Sequence, residues 1–295
     1  MTDLWIAIAV MSVISIACGI FAGGFAYANK GQLTTLYLSA AVVGMIYFLI
    51  YASGQLFWAR WIPSSAAIIY SNFAAIFAAL AAGWALRLPK IPLWRRSVLS
   101  VFLGLCSFAA ILWPLLSIAV RPPPSGALVV EGTVVEQTSW ATCSPAAAAT
   151  LLRAVGVETT EAEMIPLCLT DKSGTPTLGL YRGVKLKAEE NGFRVNVIDD
   201  TLDELMASND WPVLLAVGLP YGVEDRRYAE QWGWIPGMGH SVVAIERLPD
   251  GGGILIADPS IGLERWSRSD MEVLWRGVGM RLEGGDKNAF EEMGE

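Results

Sequence analysis

Charge is scarce in this sequence, and histidine is almost missing. Only 17% of the 295 residues are Asp, Glu, Lys or Arg, where a soluble globular chain carries about a quarter. The shortage is local. Residues 1–120 hold one acid, Asp3, and six Lys or Arg, whereas residues 121–295 hold 27 acids and 15 bases. An apolar, weakly basic stretch is therefore followed by an acidic one of ordinary polarity, long enough for its own core. Other absences exclude whole classes of function. The chain has one histidine, His240, and four cysteines, none in CxxC, HxxxH or HExxH spacing. No zinc or haem signature exists, and no metal or cofactor is expected. No GxxxxGK[ST] run points to a P-loop ATPase. The acidic half has no basic clusters, so no nucleic-acid partner is expected. There is no internal repeat.

What is present in the first half is length and apolarity. Four stretches, roughly 4–28, 33–58, 62–88 and 97–120, can each span a bilayer as a helix, which takes about 20 residues. Trp5, Trp58, Trp61, Trp84 and Trp94 fall near span ends, as an interfacial belt would. Gly19 and Gly23 have GxxxG spacing, which reads as close packing inside the bundle. The connection between spans three and four carries Arg87, Lys90, Arg95 and Arg96, so it is expected on the cytoplasmic side of the membrane. Residues 121–295 are then expected on the outer face of a multi-pass cytoplasmic-membrane protein. Ala26-Tyr27-Ala28 has the small-residue pattern of a signal-peptidase site. The first segment, however, lacks a basic start and is too long for a leader, so four spans are expected.

Arg121-Pro122-Pro123-Pro124-Ser125-Gly126 reads as a stiff, extended linker lifting the following domain off the bilayer. Beyond it the pattern is α+β. Residues 127–135 are extended, and helices are expected from about Cys143 to Val155 with Ser144 or Thr142 as cap, from a start within 159–163, over 177–190 up to Asn191-Gly192, and over 201–207. Strands follow at 193–198, 212–218, 241–247 and 253–257, so helices precede an antiparallel sheet. The expected boundaries are a four-helix transmembrane domain at 1–120, a linker at 121–128, a soluble domain at 129–282 and a disordered acidic tail at 283–295.

Three pieces of the soluble half carry chemistry. Gln137-Thr-Ser-Trp140-Ala-Thr-Cys143-Ser144-Pro145 puts a cysteine at a helix N-terminus, where the dipole favours thiolate. Gly239-His240 opens a buried strand, and Asp258-Pro259 closes the next one. A hairpin of those strands brings Asp258 to His240, fixing its tautomer. A cysteine nucleophile needs such a base and such an orienting group. Gln137 stands six residues before Cys143, a place from which its amide can meet an oxyanion together with the Cys143 N–H. Structural readings stand beside these. Cys143 can be a core cysteine or pair with Cys168, His240 a satisfied core histidine, and Asp258 a plain turn residue.

Jointly, Gln137 with Cys143, the Cys-Ser-Pro-Ala-Ala helix, Gly239-His240 and Asp258-Pro259 resemble the papain-like cysteine peptidase domains of the bacteriocin-processing, double-glycine leader peptidase family. The resemblance covers about 129–282 and not the membrane half. It implies a papain-like α+β fold with an antiparallel sheet, Cys143 as nucleophile, His240 as base, Asp258 as orienting group and Gln137 as oxyanion donor. Ser144 departs from the glycine usual after the cysteine, which touches access and backbone beside the nucleophile. The domain also follows its membrane segment rather than preceding it. The expected function is a membrane-anchored cysteine peptidase acting on a peptide or protein precursor near the bilayer, with the lipid bilayer and secretion or other membrane components as partners. A transpeptidase or amidase with the same triad, or a non-catalytic peptide-binding scaffold, are the alternatives. Expected substrate-binding residues are Trp140, Ser144 and Gly239, with Trp232 and Trp234 on a loop, 221–239, read as a lid that clasps a peptide.

Overall fold

The computed structural model of the chain describes residues 1–127, 130–131, 134–249 and 251–284. Part of the expected extended stretch 127–135, and the acidic tail beyond Gly284, lie outside the described residues. The chain forms two compact units, one of Met1–Trp58 and Ile62–Ala119, which holds the apolar spans, and one of the residues from Val120 onward together with Ala59–Trp61.

The membrane unit contains α1 (Thr2–Ala28), α2 (Thr34–Tyr47, continued by a π-helical turn Phe48–Ala52), α3 (Phe73–Ala85, preceded by the single turn Ala67–Tyr70) and α4 (Leu93–Val120). With those extensions, four helices are long and apolar enough to cross a membrane. Spans two and three are shorter than the apolar runs that encode them, because the chain between Ser53 and Ala66 turns through Gly54 and Pro63. Helix α3 packs on both α1 and α2. Its inward side is alanine, and Gly83 lets it touch α1: a Cβ there would stand 2.1 Å from the Gly19 carbonyl oxygen. The GxxxG pair of α1 therefore serves contact within the bundle. Asn72 Nδ2 donates to Ala110 O at 2.8 Å and Ser107 Oγ to Ala75 O at 2.7 Å, tying α4 to α3.

The second unit begins with a ribbon, β1 (Val130–Glu131) and β2 (Val134–Val135), followed by α5 (Cys143–Arg153), α6 (Glu161–Leu167) and α7 (Thr177–Glu190). Then come β3 (Arg194–Ile198), α8 (Leu202–Ala207), β4 (Val213–Gly218), β5 (Gly239–Arg247), β6 (Gly253–Asp258), β7 (Gly262–Ser267), α9 (Arg268–Leu274) and β8 (Trp275–Glu283). Six strands form one antiparallel sheet in the order β3-β8-β4-β5-β6-β7. The stretch from β7 to β8 is organised beyond the sequence expectation. Ser267 and Asp270 cap α9 reciprocally, and β8 carries the chain back between β3 and β4.

Helix α5 is the hub of this unit. Residues Ser144 to Leu152 are all buried, and the helix touches β5, α6, α7 and β2. Four consecutive alanines, Ala146 to Ala149, make it thin enough to be surrounded and favour the helical backbone. Pro145 sits in its first turn, where its missing N–H is no loss. The opposite face of the sheet covers a core containing Trp266, Leu215, Val242 and Ile256.

The linker is strapped to the domain rather than standing free as a spacer. Arg121 pairs with Asp171 at 2.7 Å and bonds Ser173 at 2.9 Å. Gly126 lies in the left-handed region (φ 68°) with its α-carbon against α6; a Cβ there would meet Ile165 at 2.7 Å. The next residue, Ala127, donates its N–H to the buried Glu161 carboxylate at 3.1 Å. That carboxylate also accepts the Thr138 N–H at 2.8 Å and hydroxyl at 2.7 Å.

Candidate active site

Cys143 is the first residue of α5, so its half-buried thiol lies at the positive end of an 11-residue helix. The same position is faced by β5. His240 is its second residue, and pairing of Val243 with Ala257 puts Asp258, the last residue of β6, at the same end of that hairpin. His240 Nε2 meets Asp258 Oδ1 at 2.8 Å. The remaining ring nitrogen is the one available to Cys143, which lies within hydrogen-bonding reach of the imidazole.

The electrostatics follow from these contacts. Burial by itself raises the Cys143 thiol, but His240, the Ser144 hydroxyl and the Ser241 backbone N–H together bring it below its ordinary value. Burial works against the imidazolium too, yet the bond to Asp258 and the charge of the thiolate raise His240 well above its usual range. Asp258 is fully buried, which favours its neutral form; the His240 bond and the Ser260 donors outweigh this and hold the carboxyl low. All three directions favour a thiolate–imidazolium pair backed by a carboxylate.

Asp258 is fastened on every side. Ser260 gives Oδ1 both its N–H (2.8 Å) and its hydroxyl (2.6 Å), and Trp234 Nε1 donates to Oδ2 at 3.0 Å. The Trp234 ring also packs edge-on against His240 at 4.7 Å between centroids. It thereby covers the His240–Asp258 bond and keeps water from it. The peptide after Asp258 is used as well: Pro259 O accepts the Gln137 N–H at 2.8 Å, fixing the backbone of the expected oxyanion residue. The Gln137 side chain lines the cleft, and its Oε1 has no hydrogen-bond partner among the described residues, so the amide is free to turn its NH₂ inward.

The cleft has a volume of about 80 Å³ and is lined by Cys143, His240, Gln137, Trp140, Trp234 and Gly239, together with Ile235 and Met238. The structure thus brings Gln137, Trp140, Cys143, Trp234, Gly239, His240 and Asp258 to one place. Two expected substrate contacts go elsewhere. Trp232 is buried, stacked on Trp266 at 5.6 Å and 5°, because the core under β6 and β7 takes the larger apolar area. Ser144 is buried and does not line the cleft: its hydroxyl lies 3.9 Å from Cys143 Sγ and meets the Ser241 hydroxyl at 2.8 Å. The neighbours of nucleophile and base are therefore bonded to each other. The loop before His240 is correspondingly not a loose flap. Tyr228 and Trp232 insert into the core, and Tyr228 Oη donates to the Asp270 cap at 2.6 Å.

Ser260, Ser241, Ile235, Met238 and Glu161 escaped the sequence reading. Ser260 had a signal, since Asp-Pro-Ser is a turn in which the aspartate accepts from the residue two ahead. The others depend on contacts across the fold. Cys168, the other cysteine of this unit, is fully buried, and burial pushes its thiol far up. It and Cys143 are both free thiols.

No family model matches the chain. Uncharacterized proteins of Methanothermobacter marburgensis and Methanothermobacter thermautotrophicus are 42% identical to it over 70 residues and 40% over 75. Those segments are 23% and 25% of this chain. The chain spans about half the length of the curated relatives it matches, 49% and 50%. Among solved structures it is similar to the peptidase domain of Streptococcus ComA, a bifunctional ABC transporter of quorum sensing. That likeness has 23% identity and TM-score 0.41, over 52% of this chain and 100% of that one. It is also similar to a double-glycine motif protease from an AMS/PCAT transporter solved with the leader peptide, at 16% identity and TM-score 0.41, over 56% of this chain and 99% of that one.

Proposed function

We propose that this protein is a membrane-anchored cysteine peptidase that cleaves a peptide or protein precursor at the membrane surface. One observation carries the reading: the only histidine, His240, holds a buried carboxylate at its Nε2 and has a helix-terminal thiol within hydrogen-bonding reach of its ring. Acyl transfer through a cysteine nucleophile uses that order of groups. Cys143 Sγ attacks the scissile carbonyl, and the carbonyl π electrons move onto oxygen. The Cys143 N–H and the Gln137 amide receive that oxyanion. As the tetrahedral intermediate collapses, His240 passes its proton to the departing amine and the C–N bond breaks. Water then loses a proton to His240, attacks the thioester, and frees the acid and the thiolate. Trp140, Ile235 and Met238 offer apolar contacts to the chain on either side of the cleaved bond. The concentration of positive charge in the loop 87–96 supports a cytoplasmic position for that loop and an outer-face peptidase.

The test is alkylation of the full chain in native membranes by iodoacetamide, followed across pH, with mass-spectrometric readout at Cys143. Labelling well below the ordinary thiol range, moved upward in pH by His240→Ala, is expected. A normal thiol profile that the substitution leaves unchanged would sink the mechanism. Product analysis on peptide libraries then separates hydrolysis from transfer to an amine: a ligated product makes the enzyme a transpeptidase.

A further inference from the structure

The membrane unit has a second site, at the end where α1 stops and α3 turns into α4. There a cavity of about 570 Å³ is lined by Tyr27, Lys30, Gly31, Arg87, Lys90 and Arg96, among others. Four cations converge, and no acid stands against them within this unit. Its single carboxylate, Asp3, lies at the opposite end of α1, about 40 Å away at 1.5 Å per residue.

Three further observations show charge held in place without its counterpart. Arg96 Nε is buried and has no hydrogen-bond partner among the described residues, while its Nη1 reaches Leu86 O at 3.4 Å. A buried guanidinium N–H left open is unfavourable. Arg96 also stands in the first turn of a 28-residue helix with no acid there, so it opposes the positive end of the helix dipole. Lys30 (φ 49°) and Lys90 (φ 58°), one on each loop of the cavity, both occupy the left-handed region, unusual for residues bearing a side chain. Arg87 is held 4.9 Å above the Tyr27 ring, which fixes its guanidinium at the rim.

We propose that this cavity binds a phosphate ester. The phosphate would bond the open Arg96 N–H and the Arg87 fork, and it would neutralise the two lysines. The surroundings favour a lipid headgroup as its source, since Ile91, Leu93 and Trp94 are exposed on the same connection, as side chains at the headgroup level are. Free inorganic phosphate has the same chemistry.

The test uses the full chain in detergent micelles, with native mass spectrometry reading bound phosphatidylglycerol against phosphatidylcholine at equal concentration. Preferential retention of phosphatidylglycerol is expected, reduced about fivefold by Arg96→Gln or Arg87→Gln. Arg95→Gln is the control. It removes the same charge from the same helical turn, but Arg95 stacks on Trp94 at 5.1 Å and does not line the cavity. Retention should then stay within about twofold of the parent. Lys90→Gln, on the exposed part of the loop, gives the same reading if an arginine variant fails to fold. Inorganic phosphate that displaces the lipid and raises Tm alone supports the site and assigns it to a soluble anion. Equal retention of the two lipids with no effect of phosphate, or an equal loss from Arg95→Gln, overturns the proposal; the latter would reduce the cluster to diffuse surface charge. None of these readouts depends on peptidase activity.

Discussion

The two walls of the candidate cleft are held by different physics. The helical wall carries Cys143 on α5, a helix buried from Ser144 to Leu152 and packed through alanine. Its position is a matter of volume. The sheet wall carries His240 and Asp258 at strand ends, and its position is a matter of hydrogen bonds: Asp258 accepts from His240, Trp234 and, twice, Ser260. A nucleophile placed by packing and a base placed by polar bonds should fail in different ways when perturbed.

The largest effect should come from Cys143→Ala, which removes the nucleophile and leaves both walls standing. Turnover is expected to fall by on the order of 10⁴ or more, with Tm nearly unchanged. Asp258→Ala should damage chemistry and structure together. Loss of the orienting carboxylate should lower kcat/KM by about 10²–10⁴, and the stranded donors of Trp234, Ser260 and His240 should lower stability by about 2–4 kcal/mol. Urea unfolding read beside activity checks both. Asp258→Asn keeps an acceptor but not the charge, and it tests the pH logic. In the parent, activity is expected to fall on the acid side as the lowered thiol gains its proton, and on the alkaline side as the raised imidazolium loses its own. A plateau across neutrality is expected, and Asp258→Asn should bring the alkaline limb down in pH while moving the acid limb less.

The helical wall is probed by Ala147→Leu. Overpacking there should destabilise by about 1–3 kcal/mol while the pH profile of the surviving activity keeps its shape. A changed profile would mean that the two walls are not independent. The smallest effect sits where they meet, at the Ser144–Ser241 hydroxyl pair. Ser144→Ala leaves the Ser241 hydroxyl without this partner, at about 1 kcal/mol, and Ser241→Ala leaves Ser144 only its 3.9 Å contact with Cys143 Sγ, whereas both changed together should cost less than the sum of the two. Additive losses would show that the pair is not a clip.

This division also explains what the sequence made legible. Helices announce themselves by composition and caps. The Cys-Ser-Pro-Ala-Ala start, the polar stretch 159–163 and the glycine after Asn191 lead to elements within a few residues of those observed. The meeting of His240 with Asp258 was legible because one histidine left no choice and because Asp-Pro closes an apolar strand. Strand β8 was not, since Gly277 and Gly279 disguise a central strand as a loop. The fate of Trp232 was equally hidden. A tryptophan beside a catalytic loop reads the same whether it clasps substrate or fills core, and only Trp266, 34 positions away and stacked on it, settles the matter. Ser144 is absent from the cleft lining for a comparable reason, because its partner lies on β5.

Glu161 sets a rule for where this protein can be divided. Its carboxylate fastens Ala127, at the end of the linker, and Thr138, beside Gln137, to the same helix. The last residue of the membrane helix, Val120, is therefore not followed by eight dispensable residues. A soluble version starting at Val129 would lack the Ala127 N–H and the Gly126 seat, and would leave a buried negative charge with one donor fewer. One starting at Arg121 would keep them. The shorter is expected to be less stable and slower in turnover, because the linker shares its carboxylate anchor with the segment that carries Gln137.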